Sequence, residues 1–434
     1  MCASLSAARK REQVAKPSRN RSMRVLPSMV VSEPGLHQAP GAGCSAVDLG
    51  DSFRLALMIT PRGSGKVREQ IQEVLSVIRT ALEKQPHPMA VTVQTVFLKD
   101  ARDQGECERA FAAFYGPRLP VTNFVLEAPC CGAALAVEAW AIGGKGVRVE
   151  HFGPQALSVS YDSVRWVYCA GVTPGASVRG VYPQTLDVLA RLRAALTGAG
   201  SSFQRVVRTW FYLGGITEPE AGGQRYQELN RARTDFYQDI PFHCSSQAGN
   251  GSGGVYPAST GIGVSGNGLV AGCMALETKR DDVLLLQLEN PQQTPAYAYG
   301  PEHSPQSPKF SRAVALVLGN YVTTWVSGTA SIVDSESRHL GDPEKQTAQT
   351  IDNIERLIAA ENFASRGVKG AGASLRDLAK IRVYLKRGED LAKCRAICEQ
   401  RFGSVPAIYV VADVCRPDLL VEIEGVAFSR FAHG

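Results

Sequence analysis

The sequence predicts an α+β protein in which one β-β-α-β-α-β-β unit is used three times, with helices laid against one face of each sheet. Three observations predict it. A short apolar string recurs as VTVQTVFLKD (91–100), VVRTWFYL (206–213) and IRVYLKR (381–387). Each copy follows an amphipathic stretch, at 70–84, 184–196 and 350–360. The downstream halves also agree: FYGPRLPVTNFVLEAP then ALAVEAWAI (134–142) in the first copy, and RFGSVPAIYVVADV then LLVEIEGVAF (419–428) in the third. The second runs from Tyr226 through YPASTGIG (256–263) to LVAGCMALE (269–277), with a Gly- and Ser-rich insertion between Cys244 and Val255. Recurrence of this kind marks one supersecondary unit used repeatedly.

Taken along the chain, β-branched and aromatic alternation predicts strands at 53–59, 91–98, 122–126, 147–152, 165–168, 206–212, 283–288, 314–318, 321–327, 380–385, 408–412 and 420–428. Helices are predicted between them at 65–84, 107–115, 184–197, 224–237, 343–360 and 388–402. Within 184–196, Leu186, Leu189, Leu192 and Leu196 recur at helical spacing, so one face of that helix is apolar and must pack on a sheet.

A chain of 434 residues with 44% hydrophobic content has room for two or three domains with their own cores. No apolar run reaches the roughly 18 to 20 residues needed to cross a bilayer, so no membrane partner is expected. The net charge of +6 is concentrated in residues 1–24, where Arg9, Lys10, Arg11, Lys16, Arg19, Arg21 and Arg24 face one acid, Glu12. Basic, Ser-rich and acid-poor, that segment reads as a transit peptide or an unstructured arm, with Met23 as an alternative start, and does not argue for nucleic acid. Eleven cysteines without a small-domain framework spacing fit a reducing, cytoplasmic setting. The Cys130–Cys131 pair and the Cys394/Cys398 spacing lack a histidine at ligand distance in sequence, so no metal is expected.

Composition marks breaks at 34–43, at 143–145 and at 291–308, the last with five Pro and one Gly. The resulting division is an unstructured arm (1–48), unit one (49–145), unit two (146–290), a Pro-rich linker (291–309) and unit three (310–434). An ordered loop of this length is usually functional. It carries Tyr297, Tyr299, Glu302 and His303, which makes it a candidate wall of a site.

The run SGTASI (327–332), QTAQTIDNIERLIAA (346–360), VYLK, FG, PA and VEIEGVA resembles the YjgF/Rid family, whose β-β-α-β-α-β-β subunits, chorismate mutase-like in fold, assemble as trimers with ligand clefts between them. The deaminases of that family carry Arg directly after Pro-Ala; here Ile408 follows Pro406 and Ala407. A second resemblance spans 208–428. RTWFYLGGI, the ARTDF helix around Arg233, PASTGIG, ENP, YGP, FSRA, SGTAS, RVYLKRGEDL and DLLVEIEG are similar to the chorismatases, which remove pyruvate from chorismate with fused YjgF-like units. Three fused units would close as an intramolecular pseudo-trimer and leave the protein monomeric, with a homotrimer as the alternative.

The residues bear on that chemistry directly. Chorismate is a dianion with an enolpyruvyl ether, so its site needs cations for two carboxylates and an acid for the vinyl carbon. Arginine suits the first task through its two parallel hydrogen bonds to a carboxylate. The resemblance places Arg312, Arg387 and Tyr299 at substrate-binding positions. Strand alternation puts Glu422 and Glu424 on one face among Val421, Ile423 and Val426. A buried carboxyl beside a second carboxyl keeps its proton and can serve as a general acid, although the same pattern also fits a face meeting solvent or a partner arginine. The resemblance gives the acid role to Glu422. Branches of the family that form hydroxybenzoate have Gly in the S-G-T-A segment and Cys seven residues before the acid, here Gly328 and Cys415. The implied activity is conversion of chorismate to 3-hydroxybenzoate and pyruvate without metal or organic cofactor. A 4-hydroxybenzoate-forming relative and a non-catalytic YjgF-like binding protein stay open. In unit one, Glu138 is read as standing at the acid's place, without an Arg or Gly-Thr partner.

Overall fold

The computed structural model describes residues 29–32, 41–63, 65–243, 255–301 and 305–431. Residues 1–24 of the basic arm, most of the 34–43 break, most of the Gly- and Ser-rich insertion, and Glu302 and His303 of the Pro-rich linker lie outside the described residues.

The first sheet comprises β1 (Val30–Ser32), β2 (Ala42–Asp48), β3 (Phe53–Ile59), β4 (Met89–Leu98), β5 (Val121–Val125) and β6 (Leu135–Gly143). The second comprises β7 (Arg148–His151), β8 (Ala156–Tyr161), β9 (Val164–Val172), β10 (Val206–Gly214), β13 (Ala258–Val264) and β14 (Leu269–Thr278). Between the last three runs a small ribbon, β11 (Pro219–Glu220) with β12 (Gly223–Gln224), leads into a helix. The third sheet comprises β15 (Val283–Leu288), β16 (Ala313–Leu318), β17 (Tyr321–Ala330), β20 (Leu378–Leu385), β21 (Ala407–Val411) and β22 (Val421–Arg430). The ribbon β18 (Ile332–Val333) with β19 (Glu336–Ser337) follows β17.

All three sheets share one strand order: β1-β2-β3-β6-β4-β5, β7-β8-β9-β14-β10-β13 and β15-β16-β17-β22-β20-β21. Each ends in a parallel pair, β4 with β5, β10 with β13 and β20 with β21, and the other pairings are antiparallel. Two of the sheets also have an edge that the sequence pattern assigns elsewhere. Both β1 and β2 fall inside the segment read as an unstructured arm, and β15, placed in unit two from sequence, hydrogen-bonds to β16 of the third sheet.

Helices cover one face of each sheet. They are α1 (Val67–Glu83) and α2 (Gln104–Tyr115) on the first, α3 (Val181–Gly198) and α4 (Arg225–Tyr237) on the second, and α5 (Pro343–Ile358), α6 (Ala360–Ser365) and α7 (Leu391–Phe402) on the third. The α1 stripe Ile71, Val74, Leu75, Ile78 and Ala81 is buried on β3 and β6. On α3, Leu189, Leu192 and Leu196 are buried as the spacing requires, while Leu186 sits half-buried at the stripe's edge. Asp342 caps α5 by accepting the backbone N–H of Lys345 at 3.0 Å, with Pro343 at the first position, which needs no donor. Cys394 and Cys398 pack in the apolar core under α7.

The opposite faces of the three sheets meet one another. Ala56 and Ile142 of the first, Trp166, Val207 and Met274 of the second, and Trp325, Val426 and Phe428 of the third share one core. Each large side chain buried this way stabilises the fold by about 1.5–3 kcal/mol, so the sheets are held together by the same effect that forms each of them. No helix among the described residues is long and apolar enough to cross a membrane.

Candidate active site

Where the third sheet meets the second, a cavity of ≈ 70 Å3 opens between β17 and β22 on one side and α4 and β13 on the other, walled by the loop before β16. The alternation of β22 determines what reaches it. Val421 and Ile423 point into the helix-side core, whereas Glu422, Glu424, Val426 and Phe428 point toward the other sheets. Glu422 lies nearest the strand's start and reaches the cavity. Glu424, one pleat further in, meets a cluster of cations.

Glu424 is held by Arg208 Nη2 at 2.8 Å, Arg382 Nη1 at 3.1 Å and Lys380 Nζ at 3.5 Å. Thr260 of β13 donates its hydroxyl proton to Glu424 and accepts from Arg208 at 2.6 Å and from the Gly328 N–H at 3.0 Å, which exhausts its one donor and two lone pairs. Burial alone would raise the Glu424 pKa, but Arg382, Lys380 and Arg208 bring it down to about 2. Glu422, 4% exposed, has no such escort. Burial, and then the charge of Glu424, push its pKa up to about 8, against a partial offset from Arg312 and Arg208. The two readings that alternation left open are both realised, one at each residue.

Gly328 belongs to a β-bulge of β17 opposite β22, between the paired residues Val326 and Thr329. A bulge re-aims the chain locally, and the missing side chain matters: a Cβ here would lie 1.9 Å from Glu422 Oε1 and 3.3 Å from Thr260 Cγ2. The carboxyl therefore occupies space that any other residue at 328 would fill. Cys415 lines the same cavity, and burial, then Glu422, push its thiol up to about 12, so it stays neutral.

Two buried guanidiniums face the acid across the cavity. Arg312, 3% exposed, hydrogen-bonds through Nη2 to the Tyr299 hydroxyl, and its Nε has no partner among the described residues. Arg233, 1% exposed, donates to Asn230 Oδ1 at 2.6 Å and Ser259 Oγ at 3.3 Å and likewise leaves Nε unpartnered. Phe310 lies between them, 5.5 Å from the Arg312 guanidinium carbon and 5.6 Å from that of Arg233. Among the described residues, no carboxylate lies within ion-pairing distance of either. Beneath Arg312, burial lifts Glu289 to about 7, with Arg312 opposing. Two buried cations with donors to spare form a receptor for two negative charges.

Of the residues singled out from sequence, the cavity gathers Tyr299, Arg312, Gly328, Cys415 and Glu422. It does not gather Arg387. That residue is exposed beyond the end of β20, a strand on the far side of β22 from the cavity wall β17, and does not line the cavity. Arg233, noted only as part of the ARTDF helix, takes a place at the cavity instead. The signal was present in the spacing: Leu229, Ala232, Arg233 and Tyr237 form the buried face of α4, and an arginine on such a face needs a polar destination. Tyr226, Asn230 and Arg416 are further lining residues that the sequence did not single out.

Register also corrects the comparison of copies. The fourth strand of each sheet in chain order slips by one residue against the last, at Val91/Val93, Val206/Arg208 and Leu378/Lys380. Those slips align Trp140, Met274 and Val426. Glu138 is therefore the counterpart of Glu424, and the acid's position is held by Ala136 in the first sheet, Val270 in the second and Glu422 in the third. A string alignment on VE missed this by one pleat.

Comparison with known proteins agrees with this geometry. Residues 302–429 match the family model for endoribonuclease L-PSP. The chain is 32% identical over 290 residues to the 3-hydroxybenzoate synthase of Streptomyces hygroscopicus, covering 64% of this chain and 78% of the relative. It is 32% identical over 289 residues to a chorismatase of Streptomyces rapamycinicus, covering 63% of this chain and 79% of that one. A RutC family protein of Pyrococcus abyssi is 33% identical over 120 residues, 27% of this chain and 84% of the relative. A crystal structure of a chorismatase has the same fold, with a TM-score of 0.62 at 21% identity, covering 88% of this chain and all of that one. With over three quarters of two such relatives spanned at this identity, the chain belongs to the chorismatase family.

Proposed function

We propose that this protein converts chorismate to 3-hydroxybenzoate and pyruvate, using Glu422 as the proton donor. The single observation that carries the reading is a buried carboxyl whose surroundings favour its protonated form, facing two buried guanidiniums that pair with no carboxylate among the described residues. In it, Arg312 with Tyr299, and Arg233 with Asn230, bind the two carboxylates of the substrate, and Phe310 lies against its ring. Glu422 delivers its proton to the enolpyruvyl methylene. The ring's own hydroxyl oxygen then bonds to the ether-bearing carbon as the ether bond breaks and pyruvate leaves, its old bond to the neighbouring ring carbon opens, and loss of the hydrogen on the newly substituted carbon aromatises the ring and restores the proton balance. Chorismate supplies every atom of both products, so no water enters. The names of the two relatives, 3-hydroxybenzoate synthase and chorismatase, support the substrate and product. Gly328 and Cys415, the pair read from sequence as belonging to the hydroxybenzoate-forming branch, both line the cavity.

The three sheets with their helices act as three units closed on one another as an intramolecular pseudo-trimer, each opening with its edge strand. The shared strand order and the inter-sheet core support this arrangement. One interface then holds the chemistry, since Ala136 and Val270 stand where Glu422 does.

The test is pyruvate release from chorismate by the purified protein and by Glu422→Gln. The expected result is turnover by the wild type and a loss of at least about a hundredfold in the folded variant, the contribution of a positioned general acid. A wild type that releases no pyruvate would overturn the activity, and an active Glu422→Gln would overturn the acid assignment.

A further inference from the structure

A second cavity, of ≈ 70 Å3, lies at the meeting of all three sheets and is lined by residues of each. Its volume matches that of the substrate cleft, yet it shares none of that cleft's lining residues. Three tryptophans line it, Trp140 from the first sheet, Trp210 from the second and Trp325 from the third, together with Phe428. The indole N–H groups of two of them are already committed, Trp140 to Glu138 at 3.0 Å and Trp210 to Glu424 at 3.1 Å. What these two rings retain for an occupant is apolar π surface, suited to a flat ring.

The charged residues of the lining are Arg54, Lys380, Arg382 and Glu138, a surplus of cations. Arg382 is engaged at all three of its nitrogens: it binds Glu138, Glu424, the Tyr212 hydroxyl at 2.7 Å and Thr95 at 3.0 Å. Lys380 has a donor to spare. Its ammonium has three donors and contacts two carboxylates, Glu138 at 3.2 Å and Glu424 at 3.5 Å. Arg54 has phenols where an acid would be expected, the Tyr161 hydroxyl at 2.7 Å and that of Tyr168 at 3.5 Å, and its buried Nε has no partner among the described residues. Thus the walls are aromatic, and the unused donors belong to two cations.

We propose that this central cavity is a second binding site, separate from the substrate cleft, for a planar aromatic monocarboxylate whose ring lies among the tryptophans and whose carboxylate is held by Arg54 and Lys380. The site is joined to the cleft by a continuous chain of contacts. Lys380 touches Glu424, Glu424 accepts from Thr260, and Thr260 holds the N–H of Gly328 beside Glu422. An occupant that draws Lys380 toward itself therefore acts on the acid's surroundings without entering the cleft, and it lowers turnover without competing with chorismate.

Benzoate is the probe. Calorimetry on the full-length protein is expected to give two sites per chain. Arg54→Gln should weaken one of them by about tenfold or more, as loss of a charged hydrogen bond does. Arg312→Met should weaken the other. Arg54 makes no carboxylate pair among the described residues, which favours a folded variant, and benzoate-dependent quenching of tryptophan fluorescence that persists in Arg312→Met gives a reading independent of it. A single site abolished by Arg312→Met, or quenching unchanged in Arg54→Gln, would overturn the proposal. These binding measurements do not depend on the chorismatase reading. The kinetic one does: benzoate should lower kcat of the wild type with a noncompetitive component that Arg54→Gln loses, and purely competitive inhibition would overturn the regulatory part.

Discussion

Glu422 and Glu424 stand two residues apart on one face of β22, and their surroundings drive them to opposite ionisation states. Three cations reach Glu424, whereas Glu422 has burial and a negative neighbour. Separation of two carboxyl pKa values in this way assigns one group to acid work and the other to fixed charge. Activity that needs protonated Glu422 should be flat through neutral pH and fall tenfold per unit above about 8, and a pH profile of kcat/KM checks this. The linked stability has a definite sign. A folded pKa raised from 4.5 to about 8 means that the folded state holds a proton the unfolded chain has released, so this contribution is lost as pH rises through that window. Glu424 acts oppositely, and its contribution is lost as pH falls from 4.5 toward about 2. At Gly328 the expected outcome is steric. Gly328→Ala places a methyl 1.9 Å from the present Glu422 Oε1, so the carboxyl must move. A displacement of about 1 Å in a reacting group costs about a hundredfold in rate, so steady-state kinetics should show kcat falling with folding intact.

At the scale of elements, the site depends on β22 crossing from one environment to another along a single face. The strand passes Glu422 in the cleft, Glu424 among cations and then Val426 and Phe428 in the inter-sheet core. Thr260 of β13 ties the middle of that face to the β17 bulge. Glu424→Gln removes the negative charge that helps raise Glu422 and leaves Arg208, Lys380 and Arg382 in surplus. The alkaline limb of the pH profile should therefore move to lower pH. The variant should also lose about 3–5 kcal/mol of stability, measured by chemical denaturation. An unmoved limb would remove Glu424 from the account of the acid. Much of this was legible beforehand. Alternation placed Glu422 and Glu424 together, the helical spacing of Leu189, Leu192 and Leu196 gave the packed face of α3, and Tyr299 was read in a loop forming a wall. What sequence hid depends on register and on the third dimension. The one-residue slips that align Glu138 with Glu424 leave no trace in composition. Arg387 and Arg233 are both arginines in family-like motifs, and the exposed one follows a strand end whereas the buried one shares the apolar face of α4.

At the scale of the whole molecule, three sheets with one strand order supply three equivalent positions for an acid and fill only one with Glu. Fusion permits that asymmetry, because each copy can diverge while the inter-sheet core persists, whereas a homotrimer of a single unit must repeat every residue. The proposed closure of three units within one chain would leave no open interface of this kind, so light scattering on the full-length protein should give the mass of one chain, and a stable homotrimer would contradict the closed arrangement. The central claim is that the cleft between the second and third sheets turns chorismate into 3-hydroxybenzoate with the ring's own hydroxyl as nucleophile. The most direct measurement is mass analysis of the products formed from chorismate in 18O-labelled water. The account predicts pyruvate and 3-hydroxybenzoate in equal amounts, with no label in the ring hydroxyl. A labelled hydroxyl, a dihydrodiol or 4-hydroxybenzoate as the main product would contradict it.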